Sequence, residues 1–191
     1  MLNIEIQNYL ILVLFGALGI VFFKVVYKVK VAGGELFGRA TMNLSVQLLG
    51  KVLILLPSCF LLFETLGFNL SWLEVPDFLR WIGVFIFFEG VLFLCLSLIH
   101  LGRYTKMGLP KNDEIQLRTT GIYKLSRNPM YLGLIIVAIA SVMMVSNPFN
   151  LVFAIVGILI HHKIIINEEK FLTERFGQQY LDYKKSTNRY L

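Results

Sequence analysis

The chain has little charge and few of the features that stabilise a small soluble domain. Only 16% of its 191 residues are charged, whereas 57% are hydrophobic and the mean hydropathy is +0.70. Soluble domains carry about 25% charged residues and about 45–50% apolar ones. Two cysteines are too few for a disulfide scaffold, and the long apolar runs exclude disorder, collagen and coiled coils. The composition therefore predicts an integral membrane protein.

Five apolar stretches approach the roughly 20 residues that a bilayer-spanning helix needs. They cover about 9–23, 42–63, 80–99, 130–146 and 149–166. Pro148 cannot continue the fourth helix, so the last two spans are expected to form a tight hairpin. The predicted fold is an all-α membrane bundle of about five helices. Residues 1–100 hold the first three, and residues 101–191 hold a cytoplasmic loop, the hairpin and an amphipathic C-terminal helix.

Positive charge is distributed very unevenly about these spans. Of the 18 Lys and Arg residues, all but Lys51 and Arg80 fall on one side of the predicted membrane. Basic residues accumulate on the cytoplasmic side of membrane proteins. We therefore expect the N-terminus outside and the C-terminus in the cytoplasm. The same asymmetry accounts for the net charge of +6 without a nucleic-acid partner.

Three polar side chains interrupt the predicted spans. Gln47 and Lys51 lie four residues apart on one helix face, and Glu89 stands in the middle of the third span. Ionisable groups in hydrocarbon are costly and usually face a partner or a cavity. Two interpretations stay open. A structural Lys51–Glu89 pair is the favoured one, and a lining of a substrate cavity is the alternative.

Two adjacent histidines, His161 and His162, stand near the cytoplasmic end of the fifth span. Neighbouring residues point to different faces of a helix, and no third ligand stands at a recognisable spacing, so no metal site is predicted. We interpret His161 as part of a polar helix end. His162, five residues before Asn167, is expected to face a site formed by the segments described next.

Polar chemistry concentrates in two segments that flank the predicted hairpin, at 121–133 and 167–180. Because a hairpin returns the chain to its starting side, these segments should meet at the cytoplasmic interface. Asn128 and Pro129 also suit a simple helix start, as N-cap and first helical residue. Glu168 and Glu169 would likewise complement the dipole at the start of an amphipathic C-terminal helix.

The two segments together carry a specific pattern. It reads Gly-x-Tyr-x-x-x-Arg-Asn-Pro-x-Tyr-x-Gly from 121 to 133, then Glu-Glu-x-x-Leu-x-x-x-Phe-Gly-x-x-Tyr-x-x-Tyr from 168 to 183. This pattern resembles the isoprenylcysteine carboxyl methyltransferase family and the related membrane phospholipid N-methyltransferases. The resemblance covers about 101–189. Two departures are that the family usually carries His where Asn128 stands, and that the third span lacks the Gly-x-Gly of phospholipid methyltransferases.

The resemblance implies S-adenosylmethionine as cofactor, bound at the cytoplasmic ends of the last two spans. Carried over by position, the cofactor site comprises Tyr123, Arg127, Asn128, Tyr131, Gly133, Glu168 and Glu169. His162 is added to it because of its position before Asn167. An arginine can bind the cofactor carboxylate in a bidentate fork, and an aromatic face can bind its cation. Arg127 and Glu169 are expected to lie nearest the reacting groups. Catalysis would then depend on positioning and on exclusion of water.

The predicted activity is methyl transfer to a lipophilic acceptor, a carboxylate, thiol or amine, that enters from the bilayer. The acceptor and the oligomeric state cannot be read from the sequence. A membrane sterol-type reductase that uses NADPH is one alternative, because both cofactors contain adenosine. A non-enzymatic transport subunit or scaffold is another, although it would spread polar residues along the spans and not gather them at one end.

Overall fold

The protein is a bundle of antiparallel helices, seen here in a computed structural model that describes residues 2–33, 42–101 and 117–191. The first three helices are α1 (Leu2–Val31), α2 (Leu44–Thr65) and α3 (Asp77–Leu101). A 3₁₀ turn (Gly121–Lys124) leads into α4 (Pro129–Met144), α5 (Pro148–Phe176) and the short α6 (Gln178–Ser186). The predicted all-α membrane bundle is confirmed.

Among the described residues, α1, α2, α3 and α5 are long and apolar enough to cross a membrane. The fourth helix, with 16 residues, is shorter, so the predicted number of five spans is approximate. The outer surface of the bundle is covered by large hydrophobic side chains, such as Phe23, Phe85 and Leu159, which are 60–70% exposed. A continuous apolar surface of this kind is stable in contact with lipid and not with water.

Contacts at the two ends of the bundle establish its topology. At one end, the Gln7 side chain near the N-terminus donates to the Asp77 carboxylate over 2.7 Å, and the Trp72 N–H donates to the Ser146 carbonyl over 2.7 Å. The candidate site lies at the opposite end, where α4 begins. Four cations used in the orientation prediction lie outside the described residues: Arg39, Arg103, Lys106 and Lys111.

Arg80, which the sequence analysis separates from the other cations, is buried between α1 and α3 at the end of the bundle opposite the candidate site. Its Nε donates to Gln7 Oε1 and its Nη2 to Asn8 Oδ1, both over 3.0 Å. Gln7 is itself fully buried and bonds Asp77. A buried cation is tolerated where its donors are satisfied, so this cluster stabilises the packing of α1 against α3.

The predicted hairpin between α4 and α5 is confirmed. Pro148 occupies the first turn of α5, and the Asn147 side chain accepts hydrogen bonds from the N–H groups of Phe149 and Asn150 as its N-cap. The buried Asn150 amide donates to the carbonyls of Ser141 and Val145 at the end of α4. Side chains thus satisfy the backbone groups that a helix end leaves without partners.

Beyond the turn the two arms of the hairpin pack against different helices, α4 mainly on α3 and α5 mainly on α2. Glycines allow both contacts. A Cβ on Gly133 of α4 would lie 2.9 Å from the Gly90 carbonyl oxygen of α3, and one on Gly157 of α5 would lie 2.8 Å from the Ile54 nitrogen of α2. Small residues at such crossings let helix backbones approach closely in a membrane.

The expected amphipathic helix starting at Glu168 is not what the structure contains. The fifth helix continues without a break from Pro148 through Glu168 and Glu169 to Phe176, so these carboxylates lie within a helix and not at its N-terminus. The chain turns at Gly177, whose φ of +53° favours glycine. Only then does α6 begin. The reading of the two carboxylates as complements to a helix dipole is therefore wrong.

The glycine crossing between α3 and α4 gives a test of this packing. We expect Gly133→Ala to lower the free energy of unfolding by about 1–3 kcal/mol, because the new methyl group meets backbone atoms that cannot yield cheaply. The measurement is the thermal midpoint in detergent. Gly16→Ala on α1, where a Cβ would meet nothing within 4 Å, is the control. Equal midpoints for the two variants would contradict this account of the packing.

Candidate cofactor and acceptor site

The two polar segments of the sequence meet at one end of the bundle around the carboxylate of Glu169. This side chain is only 3% exposed. Arg127 donates to it from the start of α4, with Nε to Oε1 at 3.2 Å and Nη2 to Oε2 at 3.3 Å. Asn128 Nδ2 lies 2.9 Å from Oε1, and Arg189 Nη2 lies 3.0 Å from Oε2. We call these four residues the Glu169 network.

The guanidinium of Arg127 is almost completely used within the protein. Besides its two bonds to Glu169, its Nη1 donates to the carbonyl oxygens of Lys184 and Thr187. These carbonyls belong to the last turn of α6 and the residue after it, where a cation complements the helix dipole. The sequence assigned Arg127 to a fork on the cofactor carboxylate, but here the fork binds Glu169 and the end of α6.

Asn128 stands at the N-cap position of α4 without capping it. Its side chain makes no hydrogen bond to the first turn of the helix. Instead, Nδ2 donates to Glu169 and to the Arg189 carbonyl oxygen, and the backbone N–H of Asn128 donates to Ser126 Oγ. The simple helix-start reading of Asn128 therefore misses what its side chain does, which is to join α4 to α5 and to the C-terminal residues.

Residues 187–191, which we call the C-terminal strap, cross this end of the bundle. The backbone N–H of Arg127 donates to the Asn188 carbonyl over 2.9 Å, and Ser126 Oγ donates to the Arg189 carbonyl over 3.1 Å. The strap also carries Arg189, and the hydrogen bond from the Arg189 side chain to Glu169 raises the pKa of this arginine. Tyr190 stacks on His162 and its Oη lies 2.7 Å from His162 Nδ1. The strap is therefore fixed by several independent contacts.

Tyr123 and Tyr183 connect α6 to the 3₁₀ turn. Both side chains are buried, and Tyr183 Oη donates to the Tyr123 carbonyl oxygen. Burial raises the pKa of Tyr183 to about 12, so its phenol stays protonated and keeps this donor role throughout the physiological range. This hydrogen bond ties α6 to the segment that precedes α4.

Glu168 lies in a second group of polar residues, which come from α2, α4 and α5. Tyr131 Oη of α4 donates to Glu168 Oε1 over 2.7 Å. The Tyr131 ring centroid is 5.7 Å from that of His161, and the charge of Lys51 on α2 acts on both Glu168 and His161. We call Lys51, Tyr131, His161 and Glu168 the Glu168 cluster.

Two of the predicted site residues have neighbours outside the Glu169 network and the Glu168 cluster, and the structure adds one residue that the sequence missed. Gly133 packs against Gly90 and Leu94 of α3, while His162 faces the C-terminal strap. His161, interpreted as a polar helix end, is only 2% exposed and lies within the bundle, where Nδ1 bonds the Gly157 carbonyl over 2.9 Å. A cue in the sequence for the burial of His161 was Gly157, one turn earlier on the same helix face, where a glycine lets α2 pack closely.

The favoured Lys51–Glu89 pair is wrong. Glu89 lies on the outer surface of α3 between the exposed residues Phe85 and Leu92, and it has no polar contact within the described part of the chain. Lys51 instead acts on Glu168 and His161 of α5. The alternative interpretation, that Lys51 lines a cavity, stays a prediction. Among the residues the structure describes, no group of His, Cys, Asp and Glu could hold a metal ion.

A cavity of about 390 Å³ opens beside the Glu169 network. Small-molecule sites occupy about 300–1,000 Å³. The lining carries three cations and two carboxylates together with apolar and hydroxyl groups: Ile166, Glu169, Lys170, Thr173, Glu174, Lys184 and Arg189. This mixture of both charges fits the amino-acid end of a zwitterionic ligand. Of the predicted cofactor residues, Glu169 lines it directly.

Comparison with known proteins gives a consistent result. Residues 78–179 match the family model described as phospholipid methyltransferase. The chain is 30% identical over 156 residues to a rice (Oryza sativa subsp. indica) protein named "Probable protein-S-isoprenylcysteine O-methyltransferase", with 79% of this chain and 81% of the rice protein covered.

Two further relatives carry the name protein-S-isoprenylcysteine O-methyltransferase. The Dictyostelium discoideum protein is 29% identical over 133 residues, which cover 66% of this chain and 56% of the relative. The Saccharomyces cerevisiae protein is 34% identical over 105 residues, which cover 47% and 44%. The matched region of the family model includes α4, α5, the first polar segment and all but the end of the second.

Replacing the central carboxylate tests the structural role of the Glu169 network. We expect Glu169→Gln to lower the free energy of unfolding by about 3 kcal/mol, because two arginines then face each other without a counter-charge. The measurement is thermal unfolding in detergent. Asp182→Asn is the control, since Asp182 makes only exposed contacts, with Lys185 and Gln178, and exposed pairs contribute little. Similar losses in both variants would refute the central role of Glu169.

Proposed function

Since this chain belongs to the isoprenylcysteine carboxyl methyltransferase family and is an integral membrane methyltransferase, we propose that it methylates the carboxylate of a lipophilic, prenylcysteine-like acceptor. S-adenosylmethionine is the cofactor that this family uses in general, and we propose it as the methyl donor here. The prenylated acceptor is inferred from the names of the relatives. The site is proposed to open to the cytoplasm, with the N-terminus on the other side of the membrane.

The observation that carries the proposal is the convergence of the two polar segments at one end of the bundle. We place Glu168 and Tyr131 on the membrane side of this end, because Tyr131 lies within the apolar helix α4 and bonds Glu168. The mixed-charge cavity lies beside Glu169. A ligand that enters from water can therefore reach the same region as a chain that lies in the bilayer. This arrangement suits a reaction between a water-soluble cofactor and a lipophilic acceptor.

S-adenosylmethionine, when bound, supplies a methyl group made electrophilic by a positively charged sulfur. We propose that Lys170, Lys184 and Arg189 would hold its carboxylate, because these cations line the cavity. Glu168, with Tyr131, would attract its positive end. Arg127 and Glu169, the residues expected nearest the reacting groups, act in this proposal by fixing the strap and α4 in place around the ligands.

The presence of an asparagine at position 128 is consistent with a carboxylate as the methyl acceptor. A carboxylate is already ionised at neutral pH, so it needs no general base to become a nucleophile. Asn128 cannot titrate, and its amide is occupied with Glu169 and the strap. What the protein must supply is orientation of the acceptor and exclusion of water, which would otherwise solvate the carboxylate and weaken its attack.

Binding of the cofactor can be measured directly. We expect S-adenosylmethionine and S-adenosylhomocysteine to bind the purified full-length protein in calorimetry, and NADPH not to bind. Glu168→Gln should weaken binding of S-adenosylmethionine about tenfold or more, because a charged hydrogen bond contributes about 1.5–3 kcal/mol. Glu5→Gln, an exposed position at the other end of the bundle, should leave binding unchanged.

The same preparation should transfer a labelled methyl group to an N-acetylated S-prenylcysteine. Binding of NADPH alone would favour the reductase alternative and overturn the proposal. Binding of S-adenosylmethionine with transfer only to an amine or a thiol would keep the methyltransferase and overturn the carboxylate acceptor.

A further inference from the structure

We propose that Lys51 of α2 binds the carboxylate of the methyl acceptor and so determines the charge of the acceptor that the enzyme selects. This inference rests on the proposed function. The reasons lie in the position of Lys51 at the edge of the Glu168 cluster, in its access to the bilayer, and in the balance of charge around it.

Lys51 is held close to the site by the packing of α2 on α5. Gly50 allows the approach, since a Cβ at that position would lie 3.8 Å from His161 Cε1 and 2.4 Å from a methyl carbon of Ile160. Lys51 follows directly along the helix and is half-buried. Its charge acts on Glu168 and His161, and Glu168 is in turn bonded to Tyr131.

The depth of Lys51 suits a ligand held in the membrane. It lies seven residues from the first residue of α2, which corresponds to about 10 Å along the helix axis. The side chains around it on α2 face lipid, since Leu48, Val52 and Leu55 are each about half exposed. A lipophilic acceptor could therefore reach Lys51 sideways from the bilayer while its hydrocarbon chain stays between lipids.

The charges of the cluster match those of the reactants. A lysine in hydrocarbon is costly unless an opposite charge stabilises it, and within the bundle Glu168 supplies one. When a positively charged ligand group approaches Glu168, the carboxylate of the acceptor can replace Glu168 as the counter-charge of Lys51. The methyl ester that results is uncharged, so Lys51 attracts the product less strongly than the acceptor. The residue would thus favour acceptor binding and product release together.

The test compares an N-acetylated S-prenylcysteine with its carboxamide, which has the same shape and no charge. Binding of each compound to the full-length protein in lipid nanodiscs is measured by calorimetry, in addition to the acceptor KM. We expect the wild-type protein to bind the acid about tenfold or more tightly than the carboxamide, the size of a charge-assisted hydrogen bond. Lys51→Met should remove that preference, and Lys51→Arg should retain most of it.

A matched control is Lys163→Met, which removes an exposed lysine of α5 two residues beyond His161 and should leave the preference intact. Binding of S-adenosylmethionine within about twofold of wild type verifies that each variant is folded. If Lys51→Met does not fold, Lys51→Gln replaces it, because the amide can still bond to its neighbours.

Three results would overturn the role of Lys51: equal binding of acid and carboxamide to the wild-type protein, a preference that persists in the folded Lys51→Met variant, or a loss equally large in Lys163→Met. These are distinguishable from failure of the proposed function, in which the wild-type protein would bind no S-adenosylmethionine or methylate no prenylcysteine.

Discussion

The neutralisation of one buried carboxylate organises the end of the molecule where the site lies. Glu169 is almost inaccessible, and a buried ion is tolerated only if its charge and its hydrogen-bonding capacity are satisfied. Its partners come from two separate parts of the chain: Arg127 and Asn128 before α4, and Arg189 in the C-terminal strap. Arg127 extends the same network to the end of α6. The beginning of α4, the C-terminal part of α5 and the strap therefore form a single structural unit.

The hairpin places a second set of charges where that unit meets the membrane. Because α4 packs on α3 and α5 packs on α2, each through glycines, the polar residues of the two arms come together with Lys51 of α2. The two carboxylates of the Glu-Glu pair thus differ in surroundings although they are adjacent. Glu169 is saturated by arginines, whereas Glu168 shares one tyrosine bond and the field of one lysine. The first suits a structural role and the second suits a ligand.

Much of this could be predicted from the sequence, because apolar runs, proline and charge asymmetry are local signals. They indicated an all-α membrane bundle, a helical hairpin that turns just before Pro148, and a polar site made from two segments. The errors have two causes. The sequence does not show how each helix is rotated about its axis, nor which protein groups compete with a ligand for the same side chain. A helix that is apolar all round does not reveal which face is buried, so the sequence does not show that His161 is buried and that Glu89 faces outward. Nor does a motif reveal that Arg127 already binds Glu169, or that α5 continues through the Glu-Glu pair.

The order of the charges along the chain has a consequence for biosynthesis. Synthesis proceeds from the N-terminus, so Arg127 exists before Glu169, while Arg189 is added 20 residues after it. The nascent carboxylate can meet its first counter-charge as soon as the hairpin forms, but it must wait for the second. Until then the newly inserted helices carry an incompletely compensated acid at the membrane surface. The end of the bundle that holds the Glu169 network is thus the last part to mature.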